Sequence, residues 1–137
     1  MSPEKDKQLC ERYPHIFKDR SGDPKQTLMC FGFECDDGWY GIIDTLCNGI
    51  NAHVNHKRQM NQDMPAEQFY EEHGVVAVQV KEKWGGLRFY VNGSDEYVDG
   101  LIAMAEGMSY RTCEVCGNPG KTRAGGWVRT LCDGHAG

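Results

Sequence analysis

The feature that most constrains this chain is a set of four ligand-type residues near its C-terminal end. Cys113-Glu114-Val115-Cys116 is followed, after fifteen intervening residues, by Cys132-Asp133-Gly134-His135. Two short-spaced pairs separated by about 15–20 residues have the spacing of structural zinc sites. The reason is geometric. A tetrahedral Zn²⁺ takes four N or S ligands at about 2.0–2.3 Å. Two intervening residues let both side chains of a pair reach one ion from a tight turn. Gly117 relieves crowding where the backbone reverses beside the sulfurs. The plainer reading, unligated cysteines in a loop, leaves the spacing unexplained. Four protein ligands leave no open coordination position, so the expected role of a single Zn²⁺ is structural: it folds a segment too small for its own core.

Between the two pairs, Gly125-Gly126 breaks the chain and Trp127-Val128-Arg129-Thr130-Leu131 reads as a strand. The expected order is a knuckle, a small hairpin and a second ligand pair, which resembles the treble-clef and zinc-ribbon families. Charge marks the same boundary. The whole chain carries a formal net charge of −5. Residues 109–137 hold Arg111, Lys121, Arg123 and Arg129 against Glu114 and Asp133, a net +2, which leaves −7 on the rest. The expected organisation is an acidic α+β body over 1–108 and a zinc-binding module over 109–137.

Composition narrows the class. The acidic balance argues against a general nucleic-acid coat, whose affinity comes from cations neutralising phosphates. No apolar run approaches the ~20 residues needed to span a bilayer. The polar Met1–Tyr13 stretch has no apolar signal-peptide core. Seven cysteines, an odd number without an export signal, point to a reducing cytoplasm and to metal binding rather than disulfides.

Periodicity supplies the body. Pro3–Tyr13 reads as a short helix that Pro14 ends. Trp39, Ile42, Ile43, Leu46, Cys47, Ile50 and Val54 share one helical face, so a long helix is expected from Asp37 to about His56, capped by Asp36 or Asp37. Ala66–Glu72 adds a turn or two. Val76, Val78 and Val80 are expected on one face of a strand, and Leu87, Phe89 and Val91 on the facing strand. The turn through Glu82–Gly86 is expected to exceed two residues. A second main helix follows, capped by Ser94, with Val98, Leu101, Ile102, Ala105 and Met108 inward. The fold class is therefore α+β, a small β-hairpin sheet packed with two main helices.

Other residues invite functional readings beside plainer ones. Cys30 and Cys35 could form a second metal site or a redox pair, but their spacing lacks a matching partner pair, and buried thiols are the simpler account. His53 and His56, three apart on the long helix, could ligate metal only if further ligands converge. Trp84, Arg88 and Tyr90 could form a partner-binding patch at the hairpin tip, being residue types enriched in binding hot spots. The plainer reading folds Trp84 back over the core. Lys121, Arg123, Trp127 and Arg129 offer cations and a stacking surface for nucleic acid. No nucleophile elbow, Walker or dinucleotide motif appears.

Three segments are familiar together: Tyr13-Pro14-His15-Ile16-Phe17, Cys30 through Trp39, and Val80 through Tyr90, followed by the C-x2-C module. Together they resemble a family of small bacteriophage and prophage proteins. The resemblance carries no activity. It implies a bacterial host cytoplasm and, by analogy with other small phage accessory proteins, a non-enzymatic role in binding a host or phage macromolecule, such as a CRISPR effector or other antiviral complex. The competing expectations are a nucleic-acid-binding zinc finger, a nucleotide-sequestering protein lined by Trp84, Arg88 and Tyr90, and a treble-clef nuclease. The last lacks a histidine beyond the ligand His135 in its module. Subunit number is left open.

Overall fold

In the computed structural model, which describes residues 1–137, the chain is α+β. Ser2 caps helix α1 (Pro3–Arg12), its hydroxyl accepting the Lys5 N–H, and Pro3 occupies the first turn. Leu9 is the one residue this helix buries. Just past its end, the Tyr13 hydroxyl donates to the Asp44 carboxylate at 2.7 Å, and this pins α1 to the next helix.

That helix, α2, spans Tyr40–Gln59 and buries Ile42, Ile43, Leu46, Cys47, Ile50 and Val54, the face that periodicity assigned. A 3-10 turn, Asp37–Trp39, precedes it and puts Trp39 wholly inside. Neither Asp36 nor Asp37 caps it. Both carboxylates are engaged by distant partners instead: Asp37 accepts the Ser2 N–H at 2.7 Å, and Asp36 pairs with Arg129 at 2.9 Å. A tertiary partner has displaced the local bond.

Helix α3 (Ala66–His73) anchors through Phe69. Three strands form one sheet in the order β1-β2-β3. The two-residue β1 (Phe33–Glu34) runs parallel to β2 (Val76–Lys83), and β3 (Gly86–Asn92) runs antiparallel to it. Two expectations fail here. The pairing slips between Ala77 and Gln79, a bulge at Val78, so Ala77 and Val80 face the core while Val76 and Val78 are half-buried. One extra residue inverts a two-residue period. The hairpin turn is also shorter than expected. Lys83 pairs with Gly86, leaving only Trp84 (φ 55) and Gly85 (φ 83) in the loop, both left-handed as a type I′ turn requires. The Glu82 carboxylate steadies it by accepting the Gly85 N–H at 2.9 Å.

Helix α4 (Glu96–Ser109) is capped by Asp95, not Ser94; the Asp95 side chain accepts the Val98 N–H at 2.9 Å. It buries Val98 and Ala105 and half-buries Leu101 and Ile102, but Met108 points outward. Asp95 also meets His53 and Lys57 of α2, each at 2.7 Å. Those bonds hold its carboxyl well below the usual range; the Lys57 bond is the largest cause and the His53 bond the next. The remaining elements are the short hairpin β4 (Lys121–Arg123) and β5 (Arg129–Leu131), and the single turn α5 (Asp133–Ala136).

Candidate metal centre

Residues 110–137 bury little apolar surface: of the chain's buried apolar residues, only Cys113 and Leu131 lie there. What organises this stretch is backbone turns that aim ligand atoms at one point. After Thr112 the chain reverses. The Cys113 N–H donates to Asn118 O at 2.7 Å, and the Gly117 N–H donates to Cys113 O at 2.9 Å. Gly117 sits at φ +82, where a side chain would be strained. This knuckle presents the sulfurs of Cys113 and Cys116. The hairpin β4–β5 returns the chain, and Cys132 follows at the N-cap of α5. The His135 N–H donates to Cys132 O at 3.1 Å, which brings the imidazole back over the sulfurs.

The four ligand atoms of Cys113, Cys116, Cys132 and His135 all lie within 4.8 Å of one another. Cys116 Sγ and Cys132 Sγ are 3.8 Å apart, Cys113 Sγ and His135 Nδ1 3.7 Å, and Cys132 Sγ and His135 Nδ1 3.2 Å. Two sulfurs bound tetrahedrally at about 2.3 Å stand about 3.8 Å apart. These three distances are close to the edges of a tetrahedral Cys3His site, one of the donor sets of structural zinc. Burial pushes the Cys113 thiol up, but the N–H groups of Cys132, Cys116 and Val115 aimed at its sulfur outweigh burial and bring its pKa down to about 6. Cys116 moves the other way: the Asn118 N–H lowers its thiol, but desolvation and its bonds to the Cys113 and Cys132 sulfurs outweigh that and raise it, so the sulfurs share protons until a metal replaces them.

The site is attached to the body through polar groups that sequence reasoning missed. The Glu114 carboxylate, between the first two ligands, accepts the Asp36 N–H at 3.1 Å. Its backbone carbonyl accepts the Gly38 N–H at 2.7 Å. Burial pushes this carboxyl above the usual range, against the Asp36 bond and the Arg129 charge. The Trp39 indole donates to Thr112 O at 2.9 Å, and the Thr130 hydroxyl donates to Gly85 O at 2.6 Å. Gly85, at the body's hairpin tip, packs on Val128, Thr122 and Thr130 of the C-terminal hairpin. No local signal marks these residues, because their partners lie 45 to 78 positions away.

The other sequence candidates are scattered over the chain. The one group of ligand atoms drawn together is the Cys3His cluster; Cys30, Cys35, His53 and His56 are outside it. Cys30 Sγ contacts Thr27 O at 3.3 Å, and Cys35 is buried, its thiol pushed up to about 12 chiefly by desolvation. Trp84 does not fold over the core. It is 69% exposed and lines one cleft with Glu82, Gly126, Trp127 and Val128. Arg88 leaves it, its guanidinium donating to Tyr110 Oη at 3.0 Å, while Tyr90 lies outward on β3. Arg123 is held by Leu131 O and Asp133, and Arg129 by Asp36 and Glu114. Lys121 stays exposed and free of ion pairs, and Trp127 is 76% exposed.

Fold and site together define the class: an α+β protein whose C-terminal Cys3His cluster can hold one metal ion, of which zinc is the best match. No family model, curated protein or solved structure matches the chain. No helix is long and apolar enough to cross a membrane.

Proposed function

We propose that the protein is a non-enzymatic, zinc-braced binding protein whose contact surface centres on Trp84 and Trp127. One observation carries this reading: both indoles stand exposed on a single cleft of about 300 Å³, where the C-terminal hairpin meets the body hairpin. Tryptophan is among the residues most enriched in binding hot spots. Trp84 also occupies a left-handed position that Asn or Gly would fill with less strain. The turn gains nothing from an indole there, so the side chain serves the surface. Zinc, when bound, supplies structural cross-linking of a treble-clef-like knuckle, hairpin and helix turn. Its four protein ligands close the coordination shell, which is why we read the site as a brace rather than a reaction centre. Bracing lowers the ordering cost of the Trp127 loop when a partner docks.

The resemblance to bacteriophage and prophage proteins supports a partner inside a bacterial host. The −7 balance of residues 1–108 suits a cationic partner surface, such as the nucleic-acid channel of a host antiviral complex. Binding of nucleic acid itself is the weaker reading, since Arg123 and Arg129 already spend their charge on acids of this chain. The test is affinity capture from a bacterial host by the zinc-loaded chain and by its Trp84→Ala/Trp127→Ala variant. One protein complex retained by the wild type and lost by the folded variant is the expected result. Equal capture by both sinks the surface, and a salt-sensitive gel shift with DNA or RNA would favour the second reading.

A further inference from the structure

Helix α4 carries its exposed charges, Glu96 and Asp99, only in its first turn. From Gly100 to Met108 its exposed residues are Gly100, Ala103, Met104, Gly107 and Met108, and none is charged. Glu106, the one ionisable side chain in that stretch, turns inward, and its carboxylate accepts the Phe89 N–H at 3.0 Å. Met104 is 67% exposed. Met104 and Met108 also border a groove of about 630 Å³, whose far wall is Tyr40, Ile42 and Leu46 of α2. A surface helix ordinarily opposes its core stripe with charge. An uncharged face of adaptable methionines beside an apolar groove has the composition of an interface.

The glycines say more. A Cβ at Gly100 or Gly107 would meet nothing within 4 Å in this chain. Each lowers helix propensity relative to alanine, and internal packing gives no reason for either. Read against an antiparallel copy centred between Ala103 and Met104, the face complements itself. Gly100 falls opposite the copy's Gly107, Ala103 opposite the copy's Met104, Asp99 opposite the copy's Met108, and Glu96 opposite the copy's Arg111, which sits in the turn two residues past the end of α4. Glu96 and Arg111 are both exposed, and neither joins any ion pair within the chain. Paired glycines let two helix backbones approach closely, and opposite charges at the ends fix the antiparallel register.

We propose that α4 is the interface of a two-fold homodimer, in which each copy's methionines cover the groove beside the other's α4. The contact is isologous and therefore closes on itself. The proposal stands apart from the Trp84/Trp127 reading, because it uses none of the same residues. A helix of this length presents about 21 Å of contact, so the groove must contribute to reach the roughly 800 Å² per partner of a stable interface.

Sedimentation velocity of the zinc-loaded chain over a micromolar concentration series tests it. The mass should rise from 15.4 kDa to twice that value. Met104→Glu should stay monomeric with an unchanged circular dichroism spectrum. Glu96→Arg or Arg111→Glu alone should weaken association roughly tenfold, and the double reversal should restore it. Gly100→Ala should raise the melting temperature of the dilute monomer while weakening the dimer, a split that a merely structural glycine would not give. A wild type that stays at 15.4 kDa throughout overturns the proposal. So does a dimer that survives Met104→Glu, or a double reversal that fails to restore association. A monomeric wild type whose Met104→Glu variant loses a captured host protein would assign the face to a different partner and also overturns it.

Discussion

The first 108 residues and the last 29 are held together by different physics. The continuous apolar cluster of 22 buried residues runs from Leu9 to Ala105, and every member lies in the first region. Of the three buried polar residues, Glu114 and Thr130 lie in the second, and Ser109 is the last residue of α4, at the junction. Each of the three bonds to the backbone of the first region: Ser109 Oγ accepts the Leu87 N–H at 2.8 Å, Glu114 accepts Asp36 N–H, and Thr130 donates to Gly85 O. No buried side-chain polar atom lacks a partner. Apolar burial is non-directional and tolerates imprecise packing. A seam of buried polar bonds demands geometry, because an unmet donor or acceptor costs about 1–3 kcal/mol. The C-terminal segment therefore docks through geometry, and it contains the Cys3His cluster that could hold a metal ion.

The strongest way to break the contrast is to remove the metal ligands. Cys113→Ser, or a strong chelator, should abolish zinc binding; structural zinc in finger peptides contributes about 10–16 kcal/mol of apparent free energy. Native mass spectrometry should show one zinc per wild-type chain and none per variant. Hydrogen exchange should show protection lost across 112–135 while the buried face of α2 stays protected. Loss of both in one step would mean that the seam binds the two regions as tightly as a shared core.

Gly38→Ala attacks the seam alone. A Cβ there would collide with the backbone carbonyls of Cys113 and Glu114, which cannot retreat without disturbing the ligand turn. Destabilisation by about 2–3 kcal/mol is expected in denaturant melts, with weaker zinc retention. Gly41→Ala, three residues on, is the control, since its Cβ would meet nothing. Equal melts for the two variants would show that the approach at Gly38 does not matter.

The smallest effect lies inside the body, at Asp95. Its folded-state carboxyl is depressed by Lys57 and His53, so its contribution is full above the unfolded value near 3.9 and is lost as pH falls through the folded value. The side chain is about a third exposed, 34%, so Asp95→Asn should cost only about 1 kcal/mol at neutral pH. The two melting curves should converge on acidification below pH ~4. A gap that persists in acid would assign the effect to the cap rather than the charge.

Much of this was legible in the chain itself. The apolar face of α2 is a local 3.6-residue pattern, and the buried residues follow it. The ligand spacing of Cys113, Cys116, Cys132 and His135 is local within each pair, and the structure draws those four atoms together. Failures occurred where one residue's environment depends on a distant one. Val76 and Val78 lost their expected face to a one-residue bulge. Asp36 and Asp37 gave up capping for Arg129 and the Ser2 N–H. Trp84 and Trp127, 43 positions apart in sequence, share a cleft only because Thr130 and Gly85 bring two hairpin tips together.

Consecutive letters decide what nearest neighbours decide: helix faces, the hairpin, and two short-spaced pairs of metal-type ligands. Periodicity and short loops act over a few residues, so they are written in consecutive letters. The tertiary structure alone decided which buried polar groups meet, where the strand register slips, and which aromatic residues are left facing water. Those outcomes depend on contacts that close long loops, and a buried donor must find its acceptor wherever the fold delivers it.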